Sequence, residues 1–285
     1  MRLNLKILVL LFFISQMFVQ MSFARDVKFA QISDSHIMMN ANVYSSRNVI
    51  GAEDYLQATV ADINTIKDLD FVIFSGDNID RSNPDDLIYF LKVVNKLKVP
   101  YYVIIGNHEV FKSQHFTKKD YMKLVSKYSR SCKHRKPNYV FKKNGTVFIV
   151  VDGVKEFIPG PAGYYRKSTL AWLDRKLRHY KHSHVVICQH FPLEPPYYNR
   201  THATYDVDTY KNMLAKHKNV VAVLSGHYHE NGEKEVNGVY HSSCPALLNP
   251  PHNYKIIEIE YLNDGKAQVY TQLRHSELYG SDSND

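Results

Sequence analysis

Five short polar clusters contain residues that could bind metal ions, and each cluster follows an apolar run. They are Asp34-Ser35-His36, Gly76-Asp77-Asn78, Gly106-Asn107-His108-Glu109, Gln189-His190 and Gly226-His227-Tyr228-His229. The side chains of these clusters offer carboxylate, amide and imidazole ligands, and none of them offers a thiolate. Such a set of oxygen and nitrogen ligands suits Mn, Fe or Zn better than a soft copper site.

The apolar runs before the clusters are short and rich in β-branched residues, which is typical of strands buried on both faces. The predicted strands are Val27–Ile32, Phe71–Phe74, Tyr101–Ile105, Val147–Val151, His184–Cys188 and Val220–Leu224. Ligands of open parallel sheets bind beyond the carboxyl ends of the strands, so we expect the five clusters at one edge. His227 and His229 are two residues apart and would share a face of an extended segment, so both could reach a pair of ions.

Helical patterns lie between these strands, which favours parallel βαβ units with the helices outside the sheet. Asn83 has the features of a helix N-cap, because Pro84 follows it at the first helical position. The other predicted helices are Glu53–Leu69, Thr117–Tyr128, Ser168–Tyr180 and Asp208–His217. After Leu224 the pattern changes to strands joined by short turns, which predicts an antiparallel section that closes the domain. These strands are Gly238–Ser243, Tyr254–Tyr261 and Ala267–Leu273.

Together the clusters form an ordered pattern from about Phe29 to His229, namely DxH, GD, GNHE, H and GHxH. One such cluster could arise by chance, whereas five in this order after buried strands are hard to explain by chance. The pattern resembles the calcineurin-like metallophosphoesterases, in particular the small bacterial branch that includes class III cyclic-nucleotide phosphodiesterases. The resemblance implies an α/β fold, the four-layer αββα sandwich of that family.

The resemblance also implies a role for each motif residue. Seven residues would hold two transition metal ions: Asp34, His36 and His229 one ion, Asn107, His190 and His227 the other, and Asp77 both. His108 would contact the substrate rather than a metal, as an acid or as a source of electrostatic stabilisation. Glu109 would lie outside the ligand set and orient His108 or a ligand histidine.

The activity that the resemblance implies is hydrolysis of phosphate esters by a metal-activated hydroxide, with Mn, Fe or Zn as the cofactor pair. A phosphodiester is the favoured substrate. One alternative is a phosphomonoester of a nucleotide or sugar. Another is a non-catalytic scaffold for other proteins, which would be expected to have lost ligands or the catalytic histidine, whereas here every motif residue is present.

The loop from Phe191 to Tyr205 could shape the substrate site. Four of its residues could stack on a base or bind phosphate: Tyr197, Tyr198, Arg200 and His202. The alternative is a surface flap stiffened by Pro192, Pro195 and Pro196, with tyrosines that only cover the core. A second loop, from Ile37 to Gly51, follows the first motif.

The N-terminus has the pattern of a cleavable signal peptide over residues 1–24. Two basic residues precede the apolar run Ile7–Ile14, and Ser22 and Ala24 occupy the −3 and −1 positions before Arg25. An uncleaved N-terminal anchor is the alternative. The sequence therefore predicts an exported protein, periplasmic or secreted, with one metallophosphoesterase domain at 25–279 and a disordered tail at 280–285.

The charge of the chain is mildly basic, with a formal net value of +8 that includes two basic residues of the signal. A positive field favours an anionic small-molecule substrate, such as a nucleotide. The basic residues are spread along the chain, so we expect no nucleic-acid partner. No later segment is long and apolar enough to cross a membrane, so we expect no membrane partner after signal cleavage. Of the three cysteines, Cys188 is expected to be a buried thiol, and a disulfide between Cys132 and Cys244 is left open.

Overall fold

The computed structural model describes residues 26–41 and 49–276 of the 285-residue chain. The predicted signal peptide at 1–24, the predicted tail at 280–285 and part of the loop from Ile37 to Gly51 lie outside the described residues. The limits predicted for the domain, 25 and 279, also lie outside them. No helix in the described part of the chain is long and apolar enough to cross a membrane.

The first of two sheets has five strands in the order β11-β10-β1-β2-β3. Its strands are β1 at Val27–Ile32, β2 at Phe71–Phe74, β3 at Tyr101–Val103, β10 at Asn253–Tyr261 and β11 at Ala267–His275. Strands β1, β2 and β3 are parallel, so their carboxyl ends meet at one edge. Strand β10 runs antiparallel to both β1 and β11, as the sequence predicts for the closing hairpin.

The second sheet has six strands in the order β4-β5-β6-β7-β9-β8. Its strands are β4 at Tyr139–Lys143, β5 at Thr146–Val150, β6 at Val185–Cys188, β7 at Val220–Ser225, β8 at Gly232–Val236 and β9 at Val239–Ser243. Strands β5, β6, β7 and β9 are parallel, and the two edge strands β4 and β8 are antiparallel to their neighbours. The sequence predicts β9 only as part of an antiparallel section. In the structure β9 is antiparallel to β8 but also pairs with β7 in parallel, so it extends the parallel part of the sheet.

The two sheets pack face to face through aromatic side chains, and helices cover their outer faces. Phe29 of the first sheet contacts Phe148 of the second, with ring centroids 5.5 Å apart. The helices are α1 at Ala52–Ile63, α2 at Pro84–Val94, α3 at Lys118–Tyr128, α4 at Lys167–His179 and α5 at Val207–Leu214. The Asn83 side chain caps α2 by accepting the backbone N–H of Asp85 at 2.8 Å. The αββα sandwich expected from the sequence is confirmed.

The main differences from the sequence prediction are two strands and the ends of two helices, of which α5 ends at Leu214 rather than His217. The prediction misses β4 and β8 because edge strands bury one face at most, and β8 is largely charged. Helix α1 ends at Ile63 rather than Leu69. Asp68 in the segment beyond it has a positive φ of 60°, which no helix accommodates.

The three cysteines are free and buried. Cys132 Sγ lies 4.0 Å from the Tyr139 hydroxyl, whereas Cys244 Sγ donates to the Gln31 carbonyl at 3.4 Å. The disulfide that the sequence leaves open is therefore not formed, and hydrophobic packing holds the sandwich together.

Candidate metal centre

The five motif loops leave the carboxyl ends of β1, β2, β3, β6 and β7 and meet at one edge of the sandwich. Backbone hydrogen bonds tie the first two loops together, since Asp34 N–H donates to the Gly76 carbonyl and His36 N–H to the Asp77 carbonyl, each at 3.0 Å. Five predicted metal ligands have a positive φ: Asp34, His36, Asp77, His227 and His229. Left-handed backbone is strained for residues other than glycine and is concentrated at functional sites.

Two motif glycines let the loops approach each other closely. A Cβ at Gly76 would lie 2.5 Å from His190 Nδ1, and a Cβ at Gly106 would collide with the Asp77 carboxylate. Any larger residue would therefore push a predicted ligand out of place. The glycines serve the packing of the loops against each other as well as the sharp turns.

The first group of ligand atoms is formed by Asp34, His36 and His229. His229 Nε2 lies 3.4 Å from Asp34 Oδ1 and 3.3 Å from His36 Nε2. The other oxygen of Asp34 accepts the His227 N–H at 3.0 Å, which turns Oδ1 toward the two imidazoles. One carboxylate oxygen and two imidazole nitrogens therefore surround a space that a metal ion would fill.

The second group is formed by Asp77, His190 and His227. His190 Nε2 lies 3.3 Å from Asp77 Oδ2, and the rings of His190 and His227 are 5.0 Å apart. Asp77 Oδ2 is also 4.0 Å from His36 Nε2, so this carboxylate lies between the two groups. The position of Asp77 is the one that the bridging role requires, and the role itself stays a prediction.

Buried polar atoms show that these residues fit metal ions. Asn107 Oδ1 and His227 Nε2 are buried without a hydrogen-bond partner among the described residues. A polar atom left unpaired in the interior costs about 1–3 kcal/mol, a cost that a bound ion would offset. Asn107 lines the same cavity as Asp77 and His227, and its place in the second group stays a prediction.

The charge states of the ligands suit a cation. Burial raises the pKa of Asp34 and Asp77, but the neighbouring histidines outweigh it and lower the pKa of both carboxyls. Burial, assisted by His190, lowers the pKa of His227 to about 3, so this ring is neutral. Burial also lowers the pKa of His190, but the Asp77 carboxylate prevails and raises it to about 9. A metal ion at this position would replace the proton of His190.

His108 faces the cavity beside both groups. Its Nδ1 lies 2.6 Å from the Asp80 carbonyl oxygen, and its backbone N–H donates to Asp77 Oδ1 at 3.0 Å. Because the carbonyl can only accept, Nδ1 carries the proton of this bond and Nε2 is left for other partners. The side chain is partly exposed and lines the cavity next to the ligands. This is where a group that contacts substrate has to lie.

Asp80 is a site residue that the sequence prediction misses. Its Oδ1 lies 3.1 Å from His36 Nδ1, and its carbonyl oxygen holds His108, so one residue positions both rings. His36, Asp80 and His108 consequently form a third set of ligand-type atoms close together. Asp80 lies only three residues after Asp77, but its role depends on contacts that the sequence does not show.

We expect Asp80→Ala to weaken metal binding by about 10–100-fold, the range for loss of a carboxylate that orients a ligand histidine. His36 would lose the contact that directs its Nε2 toward Asp34. Titration of the metal-free protein against a chelator of known affinity measures the change. Asp85→Ala, in the same chain region but exposed on α2, is the control and should bind metal like the wild type. Equal affinities for Asp80→Ala and wild type would show that Asp80 does not position His36.

Glu109 is buried beneath the ligand loops and binds backbone groups rather than a histidine. Its carboxylate accepts the N–H groups of Gly106 at 2.5 Å, Asp77 at 3.0 Å and Asn78 at 2.5 Å. The role expected from the sequence is to orient His108 or a ligand histidine, whereas Glu109 fixes the loops that carry Asp77 and Asn107. In either role, Glu109 would influence metal binding only through the residues that it positions.

A cavity of about 320 Å³ opens beside the ligand groups, and its walls include His108, Tyr197 and His202. The His202 ring lies 5.3 Å from His227, and the Tyr197 ring lies 5.1 Å from Tyr228. Two of the four residues proposed for substrate binding therefore line the cavity. The other two do not: Tyr198, which is 81% exposed, and Arg200. Five further wall residues have no role predicted from the sequence: Pro161, Asn199, Tyr228, Glu230 and Asn249.

Comparisons with known proteins agree with this geometry. A sequence profile described as calcineurin-like phosphoesterase matches residues 27–231. A protein of Arcobacter nitrofigilis named "Probable glycerophosphodiester phosphodiesterase GpdQ" is 24% identical over 87% of this chain and 86% of its own length. A "Probable cyclic nucleotide phosphodiesterase" of Fibrobacter succinogenes is 23% identical over 71% of this chain and 73% of its own.

Among solved structures, a dimetal phosphatase from Danio rerio superposes with a TM-score of 0.64 at 17% identity. The superposition covers 88% of this chain and 99% of that one. At this level of identity the likeness shows a shared fold.

Proposed function

Because the chain belongs to the calcineurin-like phosphoesterase family of metal-dependent phosphoric ester hydrolases, we propose that it hydrolyses phosphodiesters at a site with two transition metal ions. One observation carries the proposal. Two groups of predicted ligands lie side by side, and Asp77 Oδ2 is 3.3 Å from His190 Nε2 and 4.0 Å from His36 Nε2. The names of the two relatives, both phosphodiesterases, support a diester rather than a monoester.

Two ions bound at this site would supply positive charge that polarises the phosphoryl group and activates water. The protein contributes the positioning and the proton. The Asp80 carbonyl holds the His108 ring through Nδ1–H, so Nε2 is directed to the cavity. With a proton on both nitrogens, the imidazolium form of the ring could donate the Nε2 proton to the leaving oxygen and keep the Nδ1 proton in its bond to the Asp80 carbonyl. Tyr197 and His202 line the same cavity and would contact the organic part of the ester. Substrates of the nucleotide type would suit these two rings.

A panel of nitrophenyl esters with added Mn, Fe, Zn or Mg tests the proposal. We expect bis-nitrophenyl phosphate to be hydrolysed with a higher kcat/KM than nitrophenyl phosphate, and Mn, Fe or Zn to support turnover better than Mg. A preference for the monoester with every metal would favour the phosphomonoesterase alternative. No turnover of either ester in protein that has bound its metals would favour the scaffold.

We also propose export with removal of residues 1–24, because the N-terminal sequence has the charge, length and small-residue pattern of a signal peptide. N-terminal sequencing of protein recovered from the periplasm or the medium should begin at Arg25. Ala24→Leu, which puts a large residue at the −1 position, should slow cleavage. Mature protein that keeps Met1 would show an anchor instead.

A further inference from the structure

More than half of the exposed large apolar side chains belong to two segments that also contribute to the wall of the catalytic cavity. Among the described residues, eleven large apolar side chains are exposed, and six of them belong to residues 157–164 and 197–205. They are Phe157, Ile158, Tyr164, Tyr197, Tyr198 and Tyr205. Phe157 and Ile158 are 64% and 62% exposed, an unusual position for two adjacent large hydrophobic residues. A concentration of this kind marks an interaction surface more often than isolated exposed residues do.

The two segments, which we call the apolar rim, are joined to each other and to the cavity. Tyr205 N–H donates to the Gly163 carbonyl at 2.8 Å, and the rings of Tyr164 and Tyr205 are 6.0 Å apart. Pro161 from the first segment and Tyr197 from the second both line the catalytic cavity. Whatever binds the apolar rim is therefore brought next to the metal ligands.

The exposed charges within and beside the apolar rim are mostly positive, with Asp206 next to Tyr205 as an acidic exception. Lys155 Nζ lies 5.6 Å from the centre of the Tyr164 ring. Lys112 is also exposed, and its backbone N–H donates to the carbonyl of Glu156, the residue after Lys155, at 2.9 Å. Arg200 is exposed between Tyr197 and Tyr205. The Glu156 carboxylate, by contrast, is engaged within the protein, where it accepts the backbone N–H of Lys118 at 2.9 Å.

We propose that the apolar rim docks the protein on an anionic phospholipid surface, with the catalytic cavity open toward the headgroups. Phenylalanine, isoleucine and tyrosine favour the boundary between headgroups and acyl chains, and lysine and arginine beside them meet lipid phosphate. Six side chains on two loops are few for a stable protein interface, which buries about 800 Å² on each partner. Peripheral binding to lipid needs only such a small number.

This surface changes the expectation that the mature chain has no membrane partner. That expectation follows from the absence of a second long apolar segment in the sequence, and such a segment is needed only to span a bilayer. Peripheral docking depends on single exposed side chains from separate loops, which hydropathy along the chain does not detect. The inference concerns binding alone, so it stands or falls independently of the substrate proposed above.

Co-sedimentation with unilamellar vesicles tests the proposal. The protein should sediment with vesicles of phosphatidylcholine containing phosphatidylglycerol, much less with phosphatidylcholine alone, and less as salt is raised. The double variant Phe157→Ser with Ile158→Ser should partition at least about tenfold more weakly, because two apolar anchors are lost. Leu262→Ser with Leu273→Ser is the matched control, since these side chains are 44% and 40% exposed but lie outside the apolar rim. The control should bind like the wild type.

Three results would overturn the proposal. The first is no sedimentation with anionic vesicles at low salt. The second is equal binding by the Phe157/Ile158 variant and wild type, which would place lipid binding elsewhere, for example in residues 1–24. The third is dimerisation of the wild type that only the Phe157/Ile158 variant loses, which would make the apolar rim a contact between copies. Thermal unfolding measured in parallel verifies that both double variants are folded, and their turnover of a soluble nitrophenyl ester should be unchanged.

Discussion

Replacing Asp77 with alanine should deprive the protein of its metal ions and abolish hydrolysis of every phosphate ester. Asp77 Oδ2 lies close to one imidazole of each ligand group, at 3.3 Å from His190 Nε2 and 4.0 Å from His36 Nε2. If Asp77 bridges two ions, its loss removes a ligand from both and leaves the histidine nitrogens without a carboxylate between them. We expect turnover to fall by far more than about 10²-fold, the most that loss of an outer partner of a ligand costs.

Elemental analysis measures the effect on Asp77→Ala directly. Wild-type protein supplied with metal should contain about two transition metal ions per chain, and the variant clearly fewer than one. Asp86→Asn is the control, because Asp86 is also a buried carboxylate but pairs with Arg81 at 2.7 Å, outside the ligand groups. Retention of one tightly bound ion by Asp77→Ala would contradict the bridging role and assign this residue to one ion.

Replacing His108 with alanine should lower turnover by roughly 10²-fold or more while both ions stay bound. His108 uses Nδ1 on the Asp80 carbonyl and presents Nε2 to the cavity, and none of the seven predicted ligands is changed. If the ring protonates the leaving oxygen, the loss should be small for nitrophenyl esters, whose leaving group needs little protonation. Esters of aliphatic alcohols should then show the full loss.

The contrast between leaving groups separates the two roles considered for His108. A similar loss for good and poor leaving groups would mean that His108 stabilises charge on the phosphoryl oxygens. Metal analysis of the same variant is the control for its integrity. Loss of an ion from His108→Ala would show that the residue is a ligand, which the third set of ligand-type atoms with His36 and Asp80 would then explain.

The sequence predicts most of the site because strand ends and ligand motifs coincide. A strand buried on both faces is a continuous apolar run, so its end is visible, and the residue types after it point to metal binding. Asp80 escapes this reasoning because its role depends on how the loop folds back, with its N–H bound to the Ile37 carbonyl at 3.0 Å. No spacing in the sequence reports that contact.

The residues that contact substrate are harder to predict than the metal ligands. Tyr198 and Arg200 have suitable side chains, but the structure places them outside the cavity, whereas Tyr197 and His202 from the same loop line it. The loop has no regular period, so the sequence cannot tell which side chains turn inward. Edge strands β4 and β8 are missed for a related reason, because they have no continuous apolar run.

Each group of predicted ligands draws on both sheets of the sandwich. In the first group, Asp34 and His36 follow β1 of the first sheet, and His229 follows β7 of the second. In the second group, Asp77 and Asn107 come from the first sheet, and His190 and His227 come from the second. A pair of ions would therefore act as a cross-link between the two halves of the protein. No fragment shorter than Asp34 to His229 holds the full set, so the metal centre cannot assemble before synthesis has passed His229. The ions would be chosen only after the sheets have docked, from whichever compartment the folded protein then occupies.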